Sequence, residues 1–411
     1  MRRNRAKAAV DLPPDMLANI HARLSPLDRL AFAAAFPASR GAFRTEAPWL
    51  VLPGGDNPET ATLFSLSDRI ATTLRAPDPA LHGHVVLGSS SSSSGAWLVT
   101  ADDWARMRLV NPVTGEQREL PAITTIPGLL EKWGGFSYMM LQPKDFLRGP
   151  PYHVGGDRPP QGTFTMGAGL MRRFFYRKVV LSDSDLPGPA AAMLITGPRF
   201  GVPAFATAEG GAWRLAPSRE GVEDAVHYNG KFHSITYAGA VEAWEQDANA
   251  GGVFTSIAVA PRPRLPNADG DSSLCRHKYL VAAPGGRLMV VLKESKEETM
   301  DKYSRPRRTC SFKVQVLDGE QWKETDDIGD AALFVGVNSS LYVSTREHPE
   351  LRAGCIYYTE NDTELCKDGH NADEDNRVGV YSLEVGWTEK VEGLGQHRSW
   401  PPPAWFIPAI P

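Results

Sequence analysis

From about residue 50 onward the chain is written in one grammar: short β-rich or alternating runs, broken by Gly, Pro, Asn and Asp clusters at roughly ten-residue spacing. Strands that short cannot bury their faces alone, so they must stack as a sandwich, a barrel or a propeller. Two element types recur. One is a hairpin with a turn at its middle, in RLVNPVTGEQREL (108–120), KVQVLDGEQWKET (313–325) and VGVYSLEVGWTEK (378–390). The other is a turn leading into a strand, in YNGKFHSITYAG (228–239), APGGRLMVVLKE (283–294) and GVNSSLYVSTRE (336–347). Near the C-terminal end they alternate, GGRLMVVLK before KVQVLDGEQW and NSSLYVST before VGVYSLEVGW, so two units repeat. Units of about 40–50 residues read as four-stranded blades, and the β region has room for about six to eight of them. The expected class is mainly β, with a β-propeller-like domain over 55–405; a pair of β-sandwiches satisfies the same spacing, because the repeat fades between about 120 and 210. Trp322 and Trp387, each just past a turn, are expected to pack between blades. The serine run Ser89–Ser94 reads as a loop by composition.

The stretch before the β region obeys a different rule. Leu12, Met16, Ile20 and Leu24 recur every fourth residue, with Leu17 on the same stripe, which predicts a helix with Pro13 and Pro14 at its first turn. A second helix starts at Ser25-Pro26: the serine caps, the proline takes the first helical position, and Asp28 meets the positive end of the dipole. Leu27 to Phe36 is apolar nearly all round and is expected to be buried on more than one face, and Pro37 stops it. Some 35 residues of helix cannot bury their own apolar surface. Part of it must meet the β domain or another protein.

Net charge is −4, which gives no electrostatic argument for nucleic acid or a membrane surface. Cys275, Cys310, Cys355 and Cys366 are widely spaced with no Cys-x-x-Cys pair, and MRRNRAKAAV is basic without an apolar run, so cytosol or nucleus is expected. No run approaches the length of a membrane span. Chemistry is sparse. CKDGHNADEDN (366–376) lacks calcium-loop or zinc spacing and reads as an acidic loop; Gly167-Ala168-Gly169 reads as a turn; KYSRPRRTC (302–310) reads as a charged hairpin tip. No nucleophile elbow or metalloprotease helix occurs. Neither catalysis nor a cofactor is expected.

The opening residues Leu12-Pro13-x-Asp15-x-Leu17-x-x-Ile20-x-x-Arg23-Leu24, then Leu27-Asp28-x-Leu30-x-Phe32 and Arg40, resemble an F-box, here over 8–48. The β region is similar to that of plant F-box proteins with a DUF-295, or KIB-type β-propeller, domain: RLVNPVTGEQRELP matches the segment after the F-box, and CIYYTEND with RVGVYSLEVG the final blade. The chain departs from the F-box pattern at Phe36 and Ser39, where that family has Cys and Trp. The resemblance implies a non-catalytic substrate receptor of an SCF-type ubiquitin ligase. In it, Leu12, Pro13, Leu17, Ile20, Leu24, Leu27 and Leu30 contact a Skp-type adaptor, which carries the cullin, and the propeller holds a target protein. Two other readings use the same residues: a scaffold whose F-box has lost its adaptor, and a stand-alone ligand-binding propeller.

Overall fold

The computed structural model describes residues 12–409 apart from segments 53–59, 76–82, 93–94, 142–162, 184–189, 248–252, 265–273, 299–306 and 361–377 and residues 199, 209, 219, 396, 398 and 399. The acidic stretch 366–376, residues 8–11 and part of the 302–310 basic run lie outside the described residues.

Strand after strand pairs with its sequence neighbour through a tight turn. Asn229 and Gly230, at φ 48° and 74°, make the two-residue link between Val222–Tyr228 and Lys231–Thr236. In NPVTG the Asn111 side-chain carbonyl accepts from the backbone N–H groups of Val113 and Thr114, at 2.9 and 3.0 Å, and Gly115 takes φ 77°. Among the described residues this produces six sheets of blade type. Blade two is Val85–Ser92, Gly95–Ala101, Met107–Val110 and Gln117–Glu119. Blade three begins at Tyr176–Leu181, blade four at Val222–Tyr228 and blade five at Leu274–Ala283. Blade six has five strands and places Ser340–Ser344 at its inner edge, beside Ala331–Val335, which in turn pairs in parallel with Cys355–Thr359.

Blade one decides the architecture. Its strands Trp49–Leu52, Thr60–Ser65 and Ile70–Arg75 are joined by Ala404–Phe406 from the other end of the chain, with Trp49 opposite Phe406 and Val51 opposite Ala404. The ring is closed by this strand. The Asn338 amide donates to the Trp405 carbonyl at 2.7 Å and accepts from the Trp405 N–H at 2.9 Å, which fixes blade six to the closing strand without leaving buried polar groups unpaired.

Apolar residues fill the spaces between successive blades. Val226, Ile235 and Val241 meet Leu280, Val290 and Trp322 between blades four and five. Phe205 and Met193 meet Phe232, Trp244 and Phe254 between three and four. A smaller sheet, Leu129–Lys132, Ser137–Met140 and Phe164–Gly167, packs on the seam of blades two and three, which is why the repeat fades there.

Three sequence expectations are corrected. Ser89–Ser92 is strand, not loop, because its backbone pairs with Gly95–Leu98. Trp387 is 60% exposed, at the outer edge of blade six, whereas Trp322 is buried and donates to the Pro261 carbonyl. Gly167-Ala168-Gly169 leads into a short helical segment, Ala168–Phe175, rather than a turn. The first propeller strand lies ahead of residue 55, and among the described residues no helix is long and apolar enough to cross a membrane.

Candidate functional site

Helix α1 spans Pro14–His21 and α2 Pro26–Ala35, followed by a 3-10 turn over Pro37–Ala42. Pro14 and Pro26 take the first helical positions, and Ser25 accepts the Asp28 N–H at 3.4 Å as its cap. Arg40 donates to the Ala33 carbonyl at 2.9 Å, one of the carbonyls that the end of α2 leaves over. His21 stacks on Phe43 at 4.7 Å, and Phe32 lies within 5.7 Å of Phe43 and 4.6 Å of Phe36. Burial pushes the His21 pKa down, so the imidazole is held neutral.

The helical pair is fixed to the propeller by α2. Leu30 sits in the cluster of Trp49, Val51, Leu63 and Phe406, with Leu27 packed against it. Beside them Arg29 forks onto Glu46 at 2.5 and 2.9 Å and onto Asp68 at 3.0 and 2.6 Å, and its hydrogen bond holds the Asp68 carboxyl below its usual range. Arg44 pairs with Glu350 of blade six. Burial raises the Glu350 pKa, but hydrogen bonds from His348 and Ser67 outweigh it and bring the group to about 2.

The seven residues expected at an adaptor surface therefore divide. Leu30 and Leu17 are buried, Leu27 and Leu24 are partly covered, and Leu12, Pro13 and Ile20 are exposed. Leu30 and, in part, Leu27 pack against the blade-one core within the chain. Met16, 50% exposed, lies one helical turn from Ile20 on α1 and, with Leu12 just ahead of the helix, completes an exposed apolar stripe. The same spacing marks it in the sequence.

A second site lies on the propeller axis. A cavity of about 270 Å³ is walled by residues of the innermost strands, including Ser90, Lys178, Tyr228, Ser339 and Ser340. At its wall Lys178 pairs with Asp224 at 2.6 Å, and the Ser340 hydroxyl donates to the same carboxylate at 2.9 Å. Next to it Lys278 pairs with Glu223 at 2.5 Å, and burial, which raises the Glu223 pKa, is outweighed by Lys278, His277 and Arg177 together, leaving it at about 2. Sequence reading did not single these out, since single charges in separate strands give no local signal. Each charge is matched by a neighbour from the adjoining blade, so the pairs hold blades together. Among the described residues no group of three or more His, Cys, Asp or Glu could hold a metal ion.

A family model described as the KIB1-4 beta-propeller matches residues 63–382, the span from the second strand of blade one into blade six. The chain belongs to the KIB1-4 beta-propeller family. The helical pair lies outside the matched KIB1-4 segment. The chain is 26% identical over 205 residues to the F-box protein At2g17036 of Arabidopsis thaliana, and the alignment covers 46% of each, so it spans about half the length of that relative. Among solved structures, U3-55K aligns over 86% of this chain and 90% of its own, at 9% identity and TM-score 0.31. The Plexin A4 extracellular region aligns over 61% and 28%, at 12% identity and TM-score 0.32. At such scores neither carries an argument for this KIB1-4 chain.

Proposed function

We propose that this protein is a substrate-receptor subunit of an SCF-type ubiquitin ligase. The helical pair docks on a Skp-type adaptor, through it on a cullin, and the propeller holds the target protein. The chain supplies proximity, and the covalent chemistry belongs to other subunits. The observation that carries this reading is the exposed stripe of Leu12, just ahead of α1, with Met16 and Ile20 on it, standing on a module that α2 bolts to the propeller. With Pro13 and the open side of Leu24, these residues have surface left to bury, worth roughly 1 kcal/mol each, and a groove that covers them offsets part of the cost of association. The relative's printed name, F-box protein, supports the same reading. Cytoplasm or nucleus is the expected location.

The test is co-purification of the full chain with a Skp-type adaptor, wild type against Leu12→Asp/Ile20→Asp. Retention by the wild type alone supports the reading. No retention by the folded wild type overturns it and leaves a scaffold without ligase, a case that Ser39 in place of Trp would favour.

A further inference from the structure

The basic pair Arg172-Arg173 lies in the π-helical turn Met171–Phe175, just ahead of the first strand of blade three. Across from it run the start of blade two, the turn Gly197-Pro198, and the segment holding Trp400 and Pro402 that leads into the closing strand. Gly197 allows this approach: its N–H donates to the Phe175 carbonyl at 2.7 Å, and a Cβ there would stand 1.9 Å from the Phe174 carbonyl oxygen.

These elements enclose a cavity of about 60 Å³. Among the described residues its lining includes three guanidinium groups, Arg172, Arg173 and Arg177, and no carboxylate side chain. Arg172 is 10% exposed and spends its two outer nitrogens on the Gly83 carbonyl at 2.9 Å and on Asp103, itself 73% exposed, at 2.8 Å. Arg177 donates to the Glu223 carbonyl at 2.9 Å. Arg173 lies over the Trp400 ring, 5.1 Å from its centre, and has no hydrogen-bond or ion-pair partner among the described residues. The Nε atoms of both Arg172 and Arg173 are buried without an acceptor.

A partly buried cation without an anionic partner is costly, and Arg173 stands in that position at a cavity lined by two further guanidinium groups, which calls for an anion. We infer that this cavity is a binding site for a tetrahedral oxyanion of the phosphate class. The volume admits one such group and no organic body behind it. The unpaired Arg173 guanidinium offers forked donors to its oxygens, and the cationic walls favour a dianion over chloride. Bound there, the anion joins the turn before blade three to the segment that closes the ring. The inference is independent of the adaptor reading.

The test is calorimetric titration of the full chain with sodium phosphate at pH 7.5, against sodium chloride at equal ionic strength. The expected result is one phosphate bound with Kd below ~1 mM, weakened at least tenfold in Arg173→Met, which keeps the apolar stem over Trp400. A phosphate response no larger than that of chloride in the wild type overturns the proposal, whatever the variant does. Unchanged affinity in a folded Arg173→Met also overturns it. O-phospho-L-serine, titrated in parallel, separates the sources: binding as tight as phosphate assigns a phosphate ester reaching in from the mouth, and binding of phosphate alone assigns the free ion.

Discussion

Arg29 and Asp68 meet through two parallel hydrogen bonds, Nη1 to Oδ1 at 3.0 Å and Nη2 to Oδ2 at 2.6 Å, across 39 residues of sequence. One end is in α2 and the other in the first propeller hairpin, so the orientation of the helical pair is set by a side-chain fork. Glu46 takes the other edge of the same guanidinium.

Removing that fork should loosen the module. Arg29→Met leaves Glu46 and Asp68, 7% and 25% exposed, facing each other without a cation, and the expected loss is about 2 kcal/mol. Urea unfolding measures it. A loss below ~0.5 kcal/mol would mean that the pair adds nothing to the contact made by Leu30.

The exposed and buried leucines should behave in opposite ways. Leu12→Asp is expected to leave the melting temperature within a degree or two while abolishing adaptor retention, because Leu12 is 36% exposed just ahead of α1. Leu30→Asp puts a carboxylate into the cluster of Trp49 and Phe406 and is expected to cost about 3 kcal/mol or more. Equal melting temperatures for the two variants would contradict the placement of α2 against blade one.

Acid should release the module in two stages. His21 has a folded pKa below 6.5, so the unfolded state binds the extra proton first; its contribution is complete above pH 6.5 and is lost as pH falls through the lowered value. Asp68 and Glu350 also have lowered folded values, Glu350 at about 2 against 4.5, so their contribution is complete above pH 4.5 and fades toward pH 2. Melting temperatures between pH 7.5 and 3.5 should fall with acid, and Glu350→Gln should flatten the lower part of the curve. A slope unchanged by that substitution would exclude Glu350 as a source.

Close approach of blades two and three depends on one glycine. A Cβ at Gly88 would stand 2.0 Å from the Val179 carbonyl oxygen, so Gly88→Ala is expected to cost more than ~4 kcal/mol. Gly41 has nothing within 4 Å, and Gly41→Ala should stay within ~0.5 kcal/mol of the wild type. Thermal unfolding of the two variants, side by side, checks the inner packing of the ring.

Local rules explain why the helix starts, the turns and the β class could be read in advance. Ser25-Pro26 caps and starts a helix through contacts a few residues long, and Asn229-Gly230 makes its turn with its own dihedral angles. The serine run misled because side-chain chemistry points to a loop, while strand pairing by Ser89–Ser92 uses only backbone donors and acceptors that every residue carries. Trp387 misled for a related reason. A tryptophan after a turn can face the next blade or the solvent, and the outer-edge position of its strand in blade six leaves it no blade to face.

Residue order alone specifies the elements: a capped helical pair with an apolar stripe, then a train of short antiparallel strands too thin to be stable singly. Those features rest on periodicity and turn chemistry, which act over a few residues. Three others exist only once the ring has formed. Ala404–Phe406 completes blade one, the propeller takes Leu27 and Leu30 while Leu12, Met16 and Ile20 remain open, and Arg172, Arg173 and Arg177 converge beside Trp400. The reason is closure. A ring brings together residues hundreds of positions apart through packing between blades, and no local pattern records which faces the closed ring will cover.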